Sequence, residues 1–390
     1  MIELSRRISS LEADGENWDL FYRAKRLQAE GERIADLTIG EHDIGTDATI
    51  LDAMHRSARG GHTGYPAIGG AKGFREAVAR RTAERTGVAT GPENVLVTPG
   101  GQAALFASFL AICDPGDDVV FVDPHYATYP GTIRAAGAVP KTVIARPENG
   151  FHPLAEDLAA ATSDASALLI NTPNNPSGAV YDIPTLEGVA ETCRANGLWL
   201  ISDEVYETQV WEGRHLSPRS LPGMAERTLV VGSMSKSHAM TGSRIGWILG
   251  PEKAIEQLAN LSIHTTFGVA GYIQDAALFA LEQGEELETR IAEPFRRRRA
   301  IAEKLLAGSN VAAATLCHGA MYIMLDVRAA CDTGTAFANR LLDEERIAAM
   351  PGESFGAAAA GHIRVAMTVD DKIFADAFAR ILRFAERIAA

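Results

Sequence analysis

Cysteine is scarce and unpatterned in this chain of 390 residues. Cys113, Cys193, Cys317 and Cys331 are scattered, and no two show the spacing of a C-x-x-C site. Neither a zinc centre nor a disulfide framework is suggested, and free thiols in a reducing cytoplasm are the expectation. Positive charge is also in deficit. The net charge of −13 argues against nucleic acid or an anionic membrane as a general partner. It leaves an anionic substrate open, because a local basic pocket can sit in an acidic protein. No apolar run is long enough to cross a bilayer. The first residues, MIELSRRISS, lack the apolar core of a secretory signal. There is no internal repeat, and the Ala-rich GAAAAG at 356–361 reads as a short loop.

What is present is ordinary for a soluble globular protein, with 46% hydrophobic and 22% charged residues. The length suits one large α/β domain and a smaller one. A helix is expected around Trp18 to Glu30, stopped by Gly31, and another from Gly73 onward, where Phe74, Ala77, Val78 and Arg81 recur one turn apart. Between them lies a glycine-rich loop carrying Tyr65, which on its own reads as a packing residue. Short apolar runs then alternate with helical stretches: NVLVT, DDVVFVD, VPKTVIA, SALLIN, GLWLISD, TLVVGS and RIGWILG. That alternation predicts a mostly parallel sheet covered on both faces by helices.

Ligands of such sheets collect outside the carboxyl ends of the strands. Asn175, Asp203, Ser233 and Lys236 all follow strand ends and would converge on one crevice. Lys236 sits in a polar turn between Ser233, Ser235 and the later Arg244. A lysine nucleophile has to be held still, partly desolvated and near positive charge, while hydroxyls and a guanidinium are the donors a phosphate needs. The pattern suggests a lysine that forms a Schiff base with a phosphorylated aldehyde, against the alternative of a solvated loop lysine. Asp203, at a buried strand end, needs a cationic partner such as a protonated ring nitrogen, or else serves as a helix N-cap. Gly100 and Gly101, between a strand and a helix expected from about Gln102, would present free backbone N–H groups to an anion.

The C-terminal third changes texture. FRRRRAIAEKLLAG (295–308) is a basic amphipathic helix whose four arginines read as a solvated face. VAAATL and AMYIMLDV read as strands, AFANRLLDEERI as a helix, HIRVAM as a strand bearing Arg364, and FADAFARILRFAERIA as a closing helix. Arg364 is either structural or ready to grip a carboxylate bidentately. His42, in the polar turn Glu41-His42-Asp43 after Gly40, reads as a surface residue.

Taken together, these segments resemble the class I and II pyridoxal-5′-phosphate-dependent aminotransferases, of the aspartate aminotransferase-like fold type I. The resemblance rests on SMSKSHAMTGSRIG at the lysine, NTPNNPSG at 171–178, SDEVYE at 202–207, HIRVAM, TPGGQAAL and GYPAIGGAKGFREAVA, in the family's order and covering nearly the whole chain. It implies an enzyme that moves an amino group between an L-amino acid and a 2-oxo acid by a ping-pong mechanism. By implication, Lys236 is the Schiff-base lysine and proton carrier, Asp203 pairs with the pyridine nitrogen, and Asn175 and Tyr206 bond the ring oxygen. Tyr126 lies against the ring. The phosphate falls to the amides of Gly101, Gln102 and Ala103 with Ser233, Ser235 and Arg244, and to Tyr65 of a second subunit in a homodimer. Arg364 binds the substrate α-carboxylate, with Gly40 and Asn175 close by. No metal is implied.

The expected division is 1–45 as an N-terminal part of a small domain, 46–285 as the large cofactor domain and 286–390 as the rest of the small domain. Departures from the pattern are Ser177 for threonine, Ser237-His238 after the lysine, Ser243 for tryptophan and His42 for proline. His42, His264 and Tyr272 are candidates for lining the substrate pocket. A C–S lyase on the same fold is the alternative reading. A non-catalytic effector-binding module is disfavoured, because the resemblance begins almost at residue 1 and leaves no stretch for a DNA-binding domain.

Overall fold

The structure, a computed structural model, describes residues 4–11, 17–309, 311–315 and 317–390. Its first strand, β1 (Ala35–Leu37), follows the helix Asp19–Ala29. The chain then builds β2 (Val95–Thr98), β3 (Asp118–Asp123), β4 (Val139–Ile144), β5 (Ala167–Asn171), β6 (Trp199–Asp203), β7 (Thr228–Ser233) and β8 (Gly246–Leu249). These seven form one sheet in the order β2-β8-β7-β6-β5-β3-β4. Only β8 runs against its neighbours. Adjacent residues of the central strands feed opposite cores: Leu169, Ile201 and Val231 pack to one side, Leu168, Leu200 and Val230 to the other. Both faces are therefore covered, which is why these strands read as continuous apolar runs rather than alternating ones.

A second sheet has the order β1-β11-β12-β10-β9, with β9 (Ala313–Thr315), β10 (Tyr322–Asp326), β11 (Ile347–Pro351) and β12 (His362–Ala366). It joins the early segment to the C-terminal third through the parallel pair β1–β11. Phe337, Phe374, Phe378 and Phe384 fill its core against the helices Gly334–Glu345 and Asp371–Ala389.

Three local expectations need correction. The helix expected over AFANRLLDEERI ends at Glu345, because Arg346 takes a left-handed conformation (φ 55°) and Ile347 opens β11. The basic helix starts earlier than its arginines, at Glu285, and runs to Leu306 with Pro294 inside it. Its arginine run is not a uniformly solvated face: Arg296 and Arg297 are about half exposed, but Arg298 is 3% exposed and Arg299 12%. Helical rotation turns the latter pair inward, where carboxylates wait. Of the strand expected over VAAATL, Leu316 lies outside the described residues.

Candidate active site

The parallel sheet delivers its strand ends to one edge. Asn171 and Asp203 are the last residues of β5 and β6 and sit side by side in register. Ser233 ends β7 opposite Gly246, and the helix Gly101–Ile112 starts just beyond β2. A cavity of about 310 Å³ opens there. Its lining includes Gly40, Gly101, Gln102, Tyr126, Asn175, Asp203, Tyr206, Ser233, Ser235, Lys236, Arg244 and Arg364. Most of the residues picked from the sequence thus meet in one place.

Two do not. Ala103 faces an adjoining open depression with Trp18 and Phe106, since the helix has already rotated by a further residue. Tyr65 is 90% exposed and packs edge-on against Phe267, ring centres 5.2 Å apart. None of the proposed pocket-lining trio reaches the cavity of its own chain either. His264 is exposed at the end of the helix Glu252–Ile263, and Tyr272 sits half-buried in the helix Gly271–Glu282. His42 is not a surface turn residue. It is 9% exposed, with its ring 5.1 Å from that of Phe295. Burial and the neighbouring Lys236 charge hold it down at about 4.

Lys236 projects from a short turn of helix, Met234–Ser237, whose start is capped by Ser233 accepting from the Ser235 amide at 3.1 Å. Its ammonium donates to the carbonyl oxygen of Gly40. Burial lowers its pKa, Tyr322 and Glu41 oppose the shift, and Arg364 and Arg244 add to it. A neutral amine is the reactive form. Arg244 takes a left-handed conformation (φ 50°) and donates to the Thr241 carbonyl oxygen at 2.8 Å. A side chain at Gly100 would collide with its guanidinium. The first-turn amides of the helix Gly101–Ile112 have no partner within the helix, so amides, hydroxyls and a guanidinium face one space. That donor set matches a phosphate.

Asp203 is 4% exposed. Burial pushes it up to about 6, although it accepts from the Tyr129 hydroxyl at 2.7 Å and the Val205 amide at 3.4 Å. It forms no ion pair among the described residues, and no helix follows for it to cap, because residues 205–208 are a turn. A protonated ring nitrogen is the partner that such an acid lacks. Its neighbour Glu204 faces the opposite side of the sheet, accepting from Ser217 at 2.8 Å and lying 2.9 Å from His215. Glu207 nearby is paired with Arg81 and Arg85. Glu204, Glu207 and His215 stand close enough for a metal, but the two arginines already neutralise that corner.

Arg364, on β12, is 3% exposed and lies between the rings of Tyr322 and Phe355, each 4.4 Å away. One nitrogen donates to Asn175 Oδ1 at 2.8 Å, another to the Thr38 carbonyl oxygen. Asn175 is held in turn by Asn171, whose own amide bonds the Asp203 carbonyl at 2.9 Å.

The family model described as aminotransferase class I and II matches residues 32–381. The chain belongs to the class I and II aminotransferases. It is 42% identical over 366 residues to the arginine–pyruvate transaminase AruH of Pseudomonas aeruginosa, covering 93% of both chains. The aspartate/prephenate aminotransferase of Thermus thermophilus is 36% identical over 387 residues, 97% of this chain and 98% of that one. Among solved structures, the aspartate aminotransferase of Thermus thermophilus with maleate superposes with a TM-score of 0.90 at 34% identity, over 98% of this chain and all of that one. The protein is accordingly a pyridoxal-5′-phosphate-dependent enzyme that transfers an amino group between amino acids and 2-oxo acids.

The cavity also holds residues that the sequence reading did not single out, among them Tyr129, Tyr322 and Trp18. Tyr129 supports Asp203, as above. Tyr322 has its hydroxyl 2.9 Å from that of Tyr206 and 3.4 Å from Asn175 Nδ2. Trp18 lines the mouth. A period-2 reading of β10 would have found Tyr322: Met324 pairs with Arg364, and Tyr322, two residues away, shares that face.

Proposed function

We propose that Lys236 carries the reacting proton, that Asp203 holds the ring nitrogen, and that Arg364 receives the substrate α-carboxylate. When bound, pyridoxal 5′-phosphate supplies the electron sink that lets the Cα–H bond of an amino acid ionise. Lys236 Nζ, desolvated and mobile at the end of its chain, takes that proton and returns it. Ser233, Ser235, Arg244 and the amides of Gly101, Gln102 and Ala103 bind the phosphate. Asn175 and Tyr206 bond the ring's phenolic oxygen, and Tyr126 covers the ring. The enzyme works as a cytoplasmic homodimer in which Tyr65 reaches the partner's phosphate site. The exposed Tyr65–Phe267 pair and the four free cysteines support that reading. The five-stranded unit acts as a small domain that closes over the substrate.

One observation carries the substrate assignment. Among the described residues, the cations lining the cavity are Lys236, Arg244 and Arg364. Each is matched by a demand of the reaction: the cofactor's carbonyl carbon, its phosphate and the α-carboxylate. Among its described residues this chain brings no further cation to a side-chain carboxylate, and that, together with the likeness to an arginine–pyruvate transaminase, favours a basic donor with pyruvate as acceptor. The test is the absorbance of the purified protein with single amino acids and no added oxo acid. Arginine should convert the cofactor's visible band to the pyridoxamine form, and aspartate should leave it. Conversion by aspartate and not arginine overturns the substrate assignment. Lys236→Ala should keep the cofactor noncovalently yet lose turnover, and turnover at the parent rate would overturn the role of the lysine.

A further inference from the structure

The segment from Thr38 to Asp47 has no helix or strand of its own, yet it supplies backbone carbonyls to two of the cavity's three cations. Thr38 offers its carbonyl oxygen to Arg364, and Gly40 offers its own to Lys236. A side chain at Gly40 would strike the Tyr322 hydroxyl, so the backbone runs as close to the cavity as it can. Without a ladder or a helix, this strap is fixed by side-chain contacts from the elements around it. The grip on Asp43 is Arg298.

Arg298 reaches out of the helix Glu285–Leu306 with every guanidinium nitrogen engaged. Two nitrogens take the Asp43 carboxylate side-on, at 2.9 and 2.6 Å. One of these also donates to the Met367 carbonyl oxygen at 2.9 Å, and Nε donates to Asp371 at 2.8 Å. Met367 directly follows β12, three residues after Arg364. Beside it, the Thr368 hydroxyl donates to the Ile39 carbonyl oxygen at 2.9 Å. One turn back along the helix, Phe295 packs on His42. Arg298 thus fastens the strap to the exit of the strand that carries Arg364. On either side of Asp43 the strap also meets the lysine loop, where Thr241 donates to Glu41 at 2.8 Å and Thr46 to the Ala239 carbonyl oxygen at 2.6 Å. A forked, fully desolvated guanidinium fixes direction as well as distance, which a lysine at the same place would not.

We propose that Arg298 is a positioning residue for substrate capture: by clamping Asp43 it sets the strap whose Thr38 carbonyl orients Arg364. This rests on the assignment of Arg364 to the α-carboxylate. Misplacing a substrate-positioning element by about 1 Å costs up to roughly a hundredfold in rate. Asp43→Asn and Arg298→Met should each raise the KM for the donor about tenfold or more while kcat stays within about threefold. In the same variants, amide hydrogen exchange in a peptide covering residues 38–46 should speed up about tenfold, with the sheet cores unchanged. Arg298→Lys, which keeps the charge and loses the fork, should fall between. Arg297→Met, which removes a half-exposed neighbour bound to Asp371 alone, should match the parent.

Parent-like KM and exchange in Asp43→Asn would overturn the proposal. So would a uniform rise in exchange across the whole chain, which would mark a purely structural bond. If Arg298→Met does not fold, Asp43→Asn carries the test, since it leaves Arg298 its bonds to Asp371 and Met367. Should Arg364→Leu leave the donor KM unchanged, the carboxylate assignment fails, and the exchange result still decides whether Arg298 holds the strap.

Discussion

A guanidinium between two aromatic rings is confined to the slot between them, and each terminal nitrogen that bonds a protein acceptor keeps a second N–H for an anion. Arg364 has that setting between Tyr322 and Phe355, and burial lowers its pKa without threatening its charge. Replacing it with leucine should cut kcat/KM for the donor about a hundredfold or more, mainly through KM, because a bidentate charge-assisted pair is lost. The cofactor band should stay as in the parent, and its disappearance would mean that Arg364 serves the cofactor instead. Asp203 and Lys236 were legible in the sequence because one ends a buried strand and the other follows one within a turn, where apolar runs give way to chemistry-bearing side chains. Tyr322 and Tyr129 were not. Tyr322 acts from a sheet whose crossing over the first one no local pattern encodes, and Tyr129 starts a helix after β3 whose inward face becomes visible only once Asp203 is in place.

Two elements behave differently from their sequence pattern because their partners lie far along the chain. The arginine run of the helix Glu285–Leu306 looks like a charged outer face until Asp43 and Asp371 arrive from either end of the sequence. The strap looks like a polar turn until Phe295 covers His42. That covering has a consequence for stability. His42 titrates at about 4 in the folded protein against 6.5 as its ordinary value. Between those limits the unfolded chain binds a proton that the folded chain refuses, so stability is full above pH 6.5 and falls as the pH drops toward 4. The loss from this one ring is on the order of 3 kcal/mol. His42→Gln should therefore show a shallower fall in Tm across that window than the parent. Parallel curves would assign the acid sensitivity to other groups, such as His238, which burial and Arg81 hold down at about 3.

At the scale of the whole molecule, the two sheets divide the labour. The seven-stranded sheet presents Asp203, Lys236 and the helix start at Gly101 from one edge, and the five-stranded sheet brings Arg364 and Tyr322 over them. Among the sequence-picked residues left outside the cavity is Tyr65, displayed with Phe267 on the surface. On the proposed reading a second copy of the chain covers that pair. Tyr65→Ala should weaken cofactor affinity about tenfold by removing a hydroxyl donor to the phosphate. Sedimentation should show the parent as a dimer. A monomeric parent, or unchanged affinity in the variant, would sink the reading.

The large sheet brings its share of the cavity to one rim, and its opposite rim lies away from that cavity. The turn at Asn196 and Gly197, which enters β6 from that far side, is exposed, and Gly197 takes the left-handed conformation of a tight reversal (φ 66°). The full length of a strand separates it from Asp203. For anyone wishing to tether this catalyst to a bead, a fluorophore or a neighbouring enzyme in a cascade, the handle belongs there.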